Sequence, residues 1–398
     1  MLWHLPNALQ ALVSLFLSHD AVPVNELRFQ LRHTHAVSNG SRIVFTDAAK
    51  SGFVSETYSV NTRPLIVSKP SSLTAYSSAR RRSMMELQNE LEPLAWVSET
   101  TTGPHTEKRE TLRQLAMMTS NSYFEPKDKE WYDLGDEWNA TYSYGWEPDA
   151  DGFRGHVFVS TDESTVVVSI KGTSVPWLGG GPTVAKDKLN DNLLFSCCCA
   201  RVGPTWSTVC GCYQGGYKCG LNCVQETLVE ESLFYPIGTN LYSNISYMYP
   251  EADIWLIGHS LGGALASLLG TTFGAPVVAF EAPSERMAAR RLHLPSPPST
   301  QHITHVFNTG DPIPMGTCTG VTSTCATGGY ALESRCHMGK LIKYDTVKKL
   351  RWSVNVQNHP IKVIIDNLFN EDWEDGREVP ESVDEDEDCT DCFQWEYI

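Results

Sequence analysis

The chain has 398 residues, of which 41% are hydrophobic, so it is long enough to bury one large core or two smaller ones. Its formal net charge at pH 7 is −16. This acidic balance argues against nucleic acid as a ligand, because phosphate binding needs clustered Lys and Arg, and it gives no general attraction to anionic membrane surfaces.

The first 20 residues contain a short apolar run, ALVSLFL, at 11–17. A membrane-spanning helix needs about 20 apolar residues, which is longer than this run. No Lys or Arg precedes it, although a signal peptide typically begins with basic residues. A cleaved signal peptide, a weak membrane anchor and a wrongly assigned start are therefore all open interpretations of residues 1–20.

Residues 21–110 are predicted to form loops and short strands on the outside of the main domain. Ser, Thr and charged residues dominate 68–110, and the arginine run at 80–82 is interpreted as a solvated patch rather than a lipid-binding site. Apolar residues recur at helical spacing from Leu112 onward. We therefore expect the main domain to begin near Thr111.

A β-branched run at 166–170, VVVSI, predicts a buried central strand. It ends in Lys-Gly-Thr-Ser, where the backbone N–H and the hydroxyl of Thr173 are candidates to bind an oxyanion. The segment 175–182 that follows is apolar and rich in glycine. It predicts a lid that opens at a lipid surface, with a flexible surface loop as the alternative.

Twelve cysteines lie in three groups, at 197–223, 318–336 and 389–392. Their number and clustering favour disulfides in an oxidising compartment over a reduced cytosolic protein. Zinc is the alternative, because the Cys210-x-Cys212 spacing is loosely zinc-like, but no histidine lies nearby. The pairing does not follow from sequence, although Cys389 and Cys392 are close enough to pair with each other.

The most informative segment has an apolar run at 254–257, then Gly258-His259-Ser260-Leu261-Gly262, then a small-residue helical pattern at 264–269. This order predicts a strand, a tight turn and a helix, with Ser260 at the apex in strained backbone geometry. The turn would expose the Ser260 hydroxyl and aim the Leu261 N–H at a developing oxyanion. A glycine-rich structural turn without chemistry is the alternative.

A nucleophilic serine needs a base and the base needs an orienting acid, and in sheet hydrolases the order is Ser, acid, His. Asp311 comes just after a strand predicted at 302–307, where ligand-facing residues collect. His359, the last histidine in the chain, is the predicted base. His337 is the alternative, whereas two earlier histidines precede Asp311 and break the order.

Three further features carry weaker signals. N-glycosylation sequons occur at Asn39, Asn139 and Asn244; a chain of this composition carries about as many by chance, so they only permit a secretory route. The segment 284–300 predicts a short helix and a connection. The acidic segment 371–398 predicts a solvated tail that cysteines hold at its end.

These residues resemble the class 3 lipases, the fungal triacylglycerol lipase family, in the GHSLGGA turn, the strand ending in Gly-Thr, the Asp-x-x-Pro loop and the late histidine. The cysteine-dense stretch 197–223, YPEADIW at 249–255, FEAP at 280–283 and DCTDCFQWE at 388–396 resemble, more specifically, the autophagy-related vacuolar lipases of fungi. The likeness covers about residues 110–398.

The motifs and the resemblance together predict an α/β-hydrolase fold, with a mostly parallel central sheet, helices on both faces and disulfide-bonded insertions. Four segments are expected, namely a possible signal segment (1–20), a luminal extension (21–110), a catalytic domain (111–370) and an acidic tail (371–398). The resemblance implies a single N-terminal signal anchor with the enzyme on the luminal side. It also implies a location in endosomes, multivesicular bodies and the vacuole.

The predicted function is a serine-dependent lipase or phospholipase that hydrolyses glycerolipid esters without a metal or cofactor. Ser260 is the predicted nucleophile, His359 the base and Asp311 the orienting acid. A lipid membrane is the predicted substrate, and no obligate protein partner is inferred. One alternative is a secretory-pathway esterase or peptidase of the same fold. The other is a non-catalytic binding protein on a hydrolase scaffold.

Overall fold

The structure is a computed structural model that describes residues 25–37, 43–48, 57–85, 94–124, 152–173, 184–201, 207–374 and 376–398. The predicted signal segment, the sequons at Asn39 and Asn139, and the predicted lid at 175–182 lie outside these residues. Within the described ranges, no helix combines the length and the apolar character needed to cross a membrane.

The described chain forms one large sheet and one small one. The strands are β1 Asn25–Val37, β2 Ile43–Asp47, β3 Tyr58–Pro70, β4 Trp96–Pro104, β5 Gly155–Ser160, β6 Thr165–Ile170, β7 Tyr213–Gly215, β8 Lys218–Cys219, β9 Asp253–His259, β10 Val277–Phe280, β11 Ile303–Asn308, β12 Lys340–Tyr344, β13 Ser382–Asp384 and β14 Glu396–Tyr397. Strands β14, β8 and β7 form the small sheet.

The large sheet has the order β13-β12-β11-β10-β9-β6-β5-β1-β3-β4, with β2 paired to β1. Its five central strands, β6 and β9 to β12, run parallel to their neighbours in this group. The strands on either side of this group are joined antiparallel. The parallel centre positions the carboxyl ends of β6, β9 and β11 at one edge of the sheet.

Helices cover both faces of the sheet. They are α1 Leu73–Met84, α2 Arg109–Asn121, α3 Val184–Phe195, α4 Leu221–Glu231, α5 Phe234–Met248, α6 Leu261–Phe273, α7 Arg286–Arg291, α8 Thr324–Gly328, α9 Thr346–Lys349 and α10 Ile361–Asn367, with a 3₁₀ turn at Val356–Asn358. The short helix expected in 284–300 is α7.

Two apolar cores lie on opposite faces of the sheet. Along β9, Ile254 and Leu256 pack into the core that α5 and α6 share, whereas Trp255 and Ile257 pack into the core beneath α2 and α10. This alternation follows from the period of two in a β-strand. A parallel centre between two helical layers is the α/β-hydrolase architecture, so the predicted fold class is confirmed.

Residues 21–110 contribute more than the loops and short strands predicted for them. Strands β1 and β3 each have 13 residues, and they extend the sheet antiparallel from β5. In β1, buried residues such as Phe29 and Leu31 alternate with exposed polar ones. A strand buried on one face has only half its residues apolar, so average composition concealed it.

All twelve cysteines are paired, which confirms the prediction of disulfides. The bonds are Cys197–Cys392, Cys198–Cys219, Cys199–Cys210, Cys212–Cys223, Cys318–Cys325 and Cys336–Cys389. The suggestion that Cys389 pairs with Cys392 is wrong. The tail runs back along the domain and adds β13 to the edge of the sheet beside β12. Cys389 and Cys392 therefore each pair with a cysteine that is distant in sequence, Cys336 and Cys197.

Three cysteines lie close enough together to be compared with a zinc site. The sulfur atoms of Cys199, Cys210 and Cys212 lie within 4.8 Å of one another. Each sulfur is already in a disulfide, however, and zinc binds thiolates. The cysteines of this cluster therefore cross-link the chain through disulfide bonds.

Candidate active site

Ser260 lies in the turn between β9 and α6. Its backbone has φ 57° and ψ −131°, which is strained for a residue with a side chain. A Cβ atom on Gly258 would lie 2.3 Å from the backbone of Gly262, and one on Gly262 would lie 2.2 Å from the carbonyl oxygen of Ile170. Glycine at both positions therefore lets the turn pack against β6, as the sequence predicts.

The structure brings Ser260, His359 and Asp311 together. The Ser260 Oγ lies 2.9 Å from Nε2 of His359, and Nδ1 of His359 lies 2.6 Å from Oδ2 of Asp311. Asp311 is fully buried, and its other oxygen accepts the N–H of Ile313 at 3.0 Å. The His359 side chain is 15% exposed. This arrangement lets an imidazole take a proton from a serine hydroxyl while a carboxylate orients it.

His337 lies in a different cluster. It contacts Ser284 and the carbonyl oxygen of Ala282, and its Nδ1 lies 3.4 Å from Oε2 of Glu385 in the tail. The ring is buried and stacks on Phe307. These contacts favour a structural role for His337.

The loop after β6 lies against the serine. A Cβ atom on Gly172 would lie 3.2 Å from Cβ of Ser260, so Thr173, the next residue, borders the turn. The Thr173 Oγ1 is hydrogen-bonded to Oδ2 of Asp191 in α3 at 2.6 Å, which leaves the backbone N–H of Thr173 as the donor available to an oxyanion. Leu261 is the first residue of α6, where a backbone N–H has no partner within the helix.

A buried ion pair supports the same loop. Nζ of Lys171 lies 3.2 Å from Oδ2 of Asp187 in α3, and it also donates to the carbonyl oxygen of Gly172 at 2.8 Å. The side chains of both charged residues are almost completely buried. Burial lowers the pKa of Lys171, and Asp187 opposes this shift.

His259, predicted only as part of the turn, also fixes the position of His359. Its Nε2 lies 2.8 Å from the carbonyl oxygen of His359, and its Nδ1 lies 2.7 Å from the hydroxyl of Tyr123. Burial lowers the pKa of His259 well below its ordinary value, and the neighbouring His359 adds to this. A neutral ring therefore donates from Nε2 and accepts the Tyr123 hydroxyl. Sequence reasoning missed Tyr123, which belongs to no motif.

Two more buried residues next to Asp311 were also missed. Glu281 follows β10, and its Oε1 accepts the backbone N–H of Asn308 at 3.1 Å and its side-chain Nδ2 at 2.8 Å. Nδ2 of Asn308 lies 3.2 Å from the carbonyl oxygen of Asn358, the residue before His359. Sequence analysis used the FEAP segment, which contains Glu281, only as part of the family resemblance and assigned no functional role to Glu281.

Comparisons with known proteins show which family the chain is similar to. The family profile described as Lipase (class 3) matches residues 228–274, which include Ser260. A protein of Cryptococcus neoformans var. neoformans serotype D (strain B-3501A) with the name "Putative lipase ATG15" is 53% identical over 293 residues, which are 72% of this chain and 56% of that protein. A protein of the same name from Pichia angusta is 46% identical over 314 residues, 76% of this chain and 57% of that protein. The chain belongs to the fungal class 3 lipase family.

This class 3 lipase chain spans somewhat more than half the length of the curated relatives it matches. The structure is also similar to the crystal structure of Lip2 lipase from Yarrowia lipolytica, with 14% identity, coverage of 58% of this chain and 77% of that one, and a TM-score of 0.29. The family profile ends before Asp311 and His359. The grouping of these two residues with Ser260 therefore rests on the distances between them.

Proposed function

We propose that this chain is a serine-dependent lipase or phospholipase that hydrolyses glycerolipid esters. The hydrogen-bonded line from Ser260 through His359 to Asp311 carries the proposal. The family membership supports an ester as the bond that is cleaved, because the matched profile and the relatives are named as lipases.

The proposed reaction has two halves. The Ser260 oxygen attacks the ester carbonyl carbon while His359 takes the hydroxyl proton, and Asp311 stabilises the resulting imidazolium. The N–H groups of Leu261 and Thr173 bind the oxyanion. His359 then protonates the leaving alcohol. A water molecule that His359 activates attacks the acyl-enzyme and releases the fatty acid.

The proposed place of action is the lumen of endosomes, multivesicular bodies and the vacuole, where the enzyme would break down the membranes of autophagic bodies and of multivesicular-body vesicles. The chain would act there as a type II membrane protein or as a processed soluble form. Six disulfides support an oxidising compartment. The exposed Asn244 on α5 is accessible to glycosylation.

Product analysis tests the chemistry. Purified protein is incubated with phospholipid vesicles, a triacylglycerol emulsion, a soluble short-chain ester and a peptide amide, and the products are identified by mass spectrometry. We expect fatty acid from the lipid substrates and none with Ser260→Ala. Cleavage of the soluble ester or the peptide alone would favour the esterase or peptidase alternative. No cleavage by the wild type would favour the binding-protein alternative.

Microscopy tests the biology. Cells without the protein should accumulate intact membrane-bound bodies in the vacuole after starvation, and wild-type protein, but not Ser260→Ala, should clear them. Deletion cells without such bodies would contradict the autophagic role and leave the lipase chemistry standing.

A further inference from the structure

The segment between β12 and α10 differs in charge from the rest of the chain. Residues 346–365 contain four basic residues and no acidic one, whereas the whole chain has 31 Lys and Arg against 47 Asp and Glu. The four basic residues are Lys348, Lys349, Arg351 and Lys362. A cluster of one sign of charge attracts anions to its own part of the surface, even where the net charge of the protein does not.

Hydrogen bonds hold this segment against the catalytic residues. The backbone N–H of Asn355 donates to the carbonyl oxygen of Gly310 at 2.9 Å, and Nδ2 of Asn358 donates to the same oxygen at 3.0 Å. Gly310 directly precedes Asp311, and Asn358 directly precedes His359. A surface on this segment is therefore fixed at the border of the active site.

Residues 348–354, which form the basic loop, expose apolar side chains as well as basic ones. Leu350 is 45% exposed and Val354 is 58% exposed. Trp352, which lies between them in sequence, instead packs against the core beneath α2 and α10. The tryptophan thus anchors the loop, while two apolar side chains beside it remain in contact with solvent.

Two cations of the basic loop are available to an external anion. The Lys348 side chain is 85% exposed, and its Nζ lies 3.8 Å from Oδ2 of Asp345, in an exposed pair that contributes little. Arg351 is exposed and has no carboxylate partner within the described residues. Its φ is 60°, in the region that favours glycine. Lys349, in contrast, is paired with Glu374.

We propose that the basic loop docks the enzyme on a lipid bilayer that carries anionic headgroups. Lys348 and Arg351 bind the headgroups, and Leu350 and Val354 enter the boundary between headgroups and acyl chains. A membrane fits this combination because it offers anionic groups directly above an apolar layer. The inference rests on the proposed function and deepens it, since docking beside His359 places the active site at the lipid surface.

Vesicle flotation tests docking without hydrolysis. Ser260→Ala protein is mixed with vesicles of phosphatidylcholine alone, and with vesicles of equal parts phosphatidylcholine and the anionic phosphatidylglycerol. We expect tighter binding to the mixed vesicles, and we expect added salt to weaken it, because salt screens exposed charges. Equal binding to both kinds of vesicle, or binding to neither, would overturn the proposal. Binding to neither would leave an acidic protein as the partner of the loop.

Two double variants in the Ser260→Ala background separate the charged and apolar contributions. Lys348→Gln with Arg351→Gln should raise the Kd for the mixed vesicles by about 25-fold, because each basic residue near an anionic surface contributes about fivefold. Leu350→Ser with Val354→Ser should also weaken binding but should keep its dependence on salt. Circular dichroism and melting temperatures check that both variants are folded.

Arg81→Gln with Arg82→Gln is the matched control. These residues lie in the last turn of α1, so the change removes the same charge from a different basic run. The control should bind the mixed vesicles as tightly as its Ser260→Ala parent. An equal loss in the control, or no loss in folded Lys348→Gln with Arg351→Gln, contradicts the proposal.

Activity with Ser260 restored gives a second readout. Lys348→Gln with Arg351→Gln should slow hydrolysis of the mixed vesicles and leave kcat/KM on a soluble short-chain ester unchanged. An equal fall on both substrates would show that the loop acts on catalysis rather than on docking, and would overturn the proposal. A wild type that binds the mixed vesicles but cleaves no ester contradicts the proposed function instead, and the docking role then stands.

Discussion

At the scale of single residues, Ser260, His359 and Asp311 form one hydrogen-bonded unit in which each side chain has a distinct task. Ser260 is buried, although its turn was expected to expose the hydroxyl, and that hydroxyl is hydrogen-bonded to His359. His359 is held at both ring nitrogens and at its backbone carbonyl. Removing one member should therefore remove the function of the others.

The two candidate histidines should separate clearly in activity. His359→Ala should lower ester hydrolysis as far as Ser260→Ala does, by about 10⁴–10⁶ in rate, and the double variant should be no worse. His337→Ala should lose stability, since it removes a buried ring that contacts Glu385 and stacks on Phe307, but keep most of its activity per folded molecule. Initial rates normalised to folded protein decide the question. Loss of activity in His337→Ala alone would move the base to His337.

The residues at the site differ in how far the sequence could predict them. Ser260 could be predicted because its turn is a local pattern, and Asp311 and His359 because their order along the chain is restricted. Tyr123 contacts His259 across 136 positions, and Asn308 reaches Asn358 across 50. Such contacts form only when distant strands and loops come together in the folded protein, so no local sequence pattern predicts them.

At the scale of elements, α3 supports the oxyanion loop through two side chains one turn apart. Asp191 is hydrogen-bonded to Thr173, and Asp187 is paired with Lys171. Residues four apart on a helix lie on the same face, which directs both carboxyl groups at the loop. The helix and the loop are thus expected to move as one unit.

Removing one member of the Lys171–Asp187 pair should destabilise the protein strongly, whereas replacing both members with apolar residues should destabilise it much less. Asp187→Asn leaves a buried, unpaired ammonium group, so it should destabilise the protein by about 3–5 kcal/mol. Lys171→Met with Asp187→Leu removes both charges and should recover most of that loss. Chemical denaturation of the single and double variants measures this. A double variant less stable than Asp187→Asn would show that the charges stabilise the fold on balance.

The same scale shows where composition misled the prediction. Strand β1 has an exposed glutamine, Gln30, between Phe29 and Leu31, and β13 is a three-residue edge strand in an acidic tail. Both elements form because a neighbouring strand offers unpaired backbone groups. Their existence depends on the assembled sheet, whereas β9 is hydrophobic enough to be recognised alone.

At the scale of the whole molecule, disulfides connect regions that the sequence keeps far apart. Cys197–Cys392 and Cys336–Cys389 hold the tail against the catalytic domain, across 195 and 53 positions. Cys336→Ser with Cys389→Ser should lower the free energy of unfolding by roughly 2–5 kcal/mol, because the unfolded chain gains freedom. The Cys318→Ser with Cys325→Ser variant is a control with a closed loop of only 7 positions and should lose less. Calorimetry on both variants checks the order, and the reverse order would contradict it.

The pH dependence of stability should reflect two opposed sets of buried groups. Burial raises the pKa of Asp191 to about 8, so its contribution to stability is full below about pH 4 and is lost as the pH rises through 8. Burial lowers the pKa of His35 to about 3 and of His156 to about 4. In the unfolded chain these two histidines bind protons below about pH 6.5, whereas in the folded protein they stay neutral down to about pH 3 and about pH 4. Stability is therefore lost as the pH falls from about 6.5 towards these values.

Burial also lowers the pKa of His259, His302 and His305. The buried histidines together should therefore set how stability changes below pH 6.5, and buried carboxyl groups such as Asp191 should set how it changes above pH 6.5. We therefore expect the melting temperature to be highest at about pH 6–7 and to fall on both sides. Scanning calorimetry from pH 4 to 9 measures this curve. Asp191→Asn should flatten the fall between pH 6.5 and 8, because the amide cannot ionise. A wild-type melting temperature that rises steadily from pH 7 to 8.5 would contradict the assignment of protonated, buried carboxyl groups.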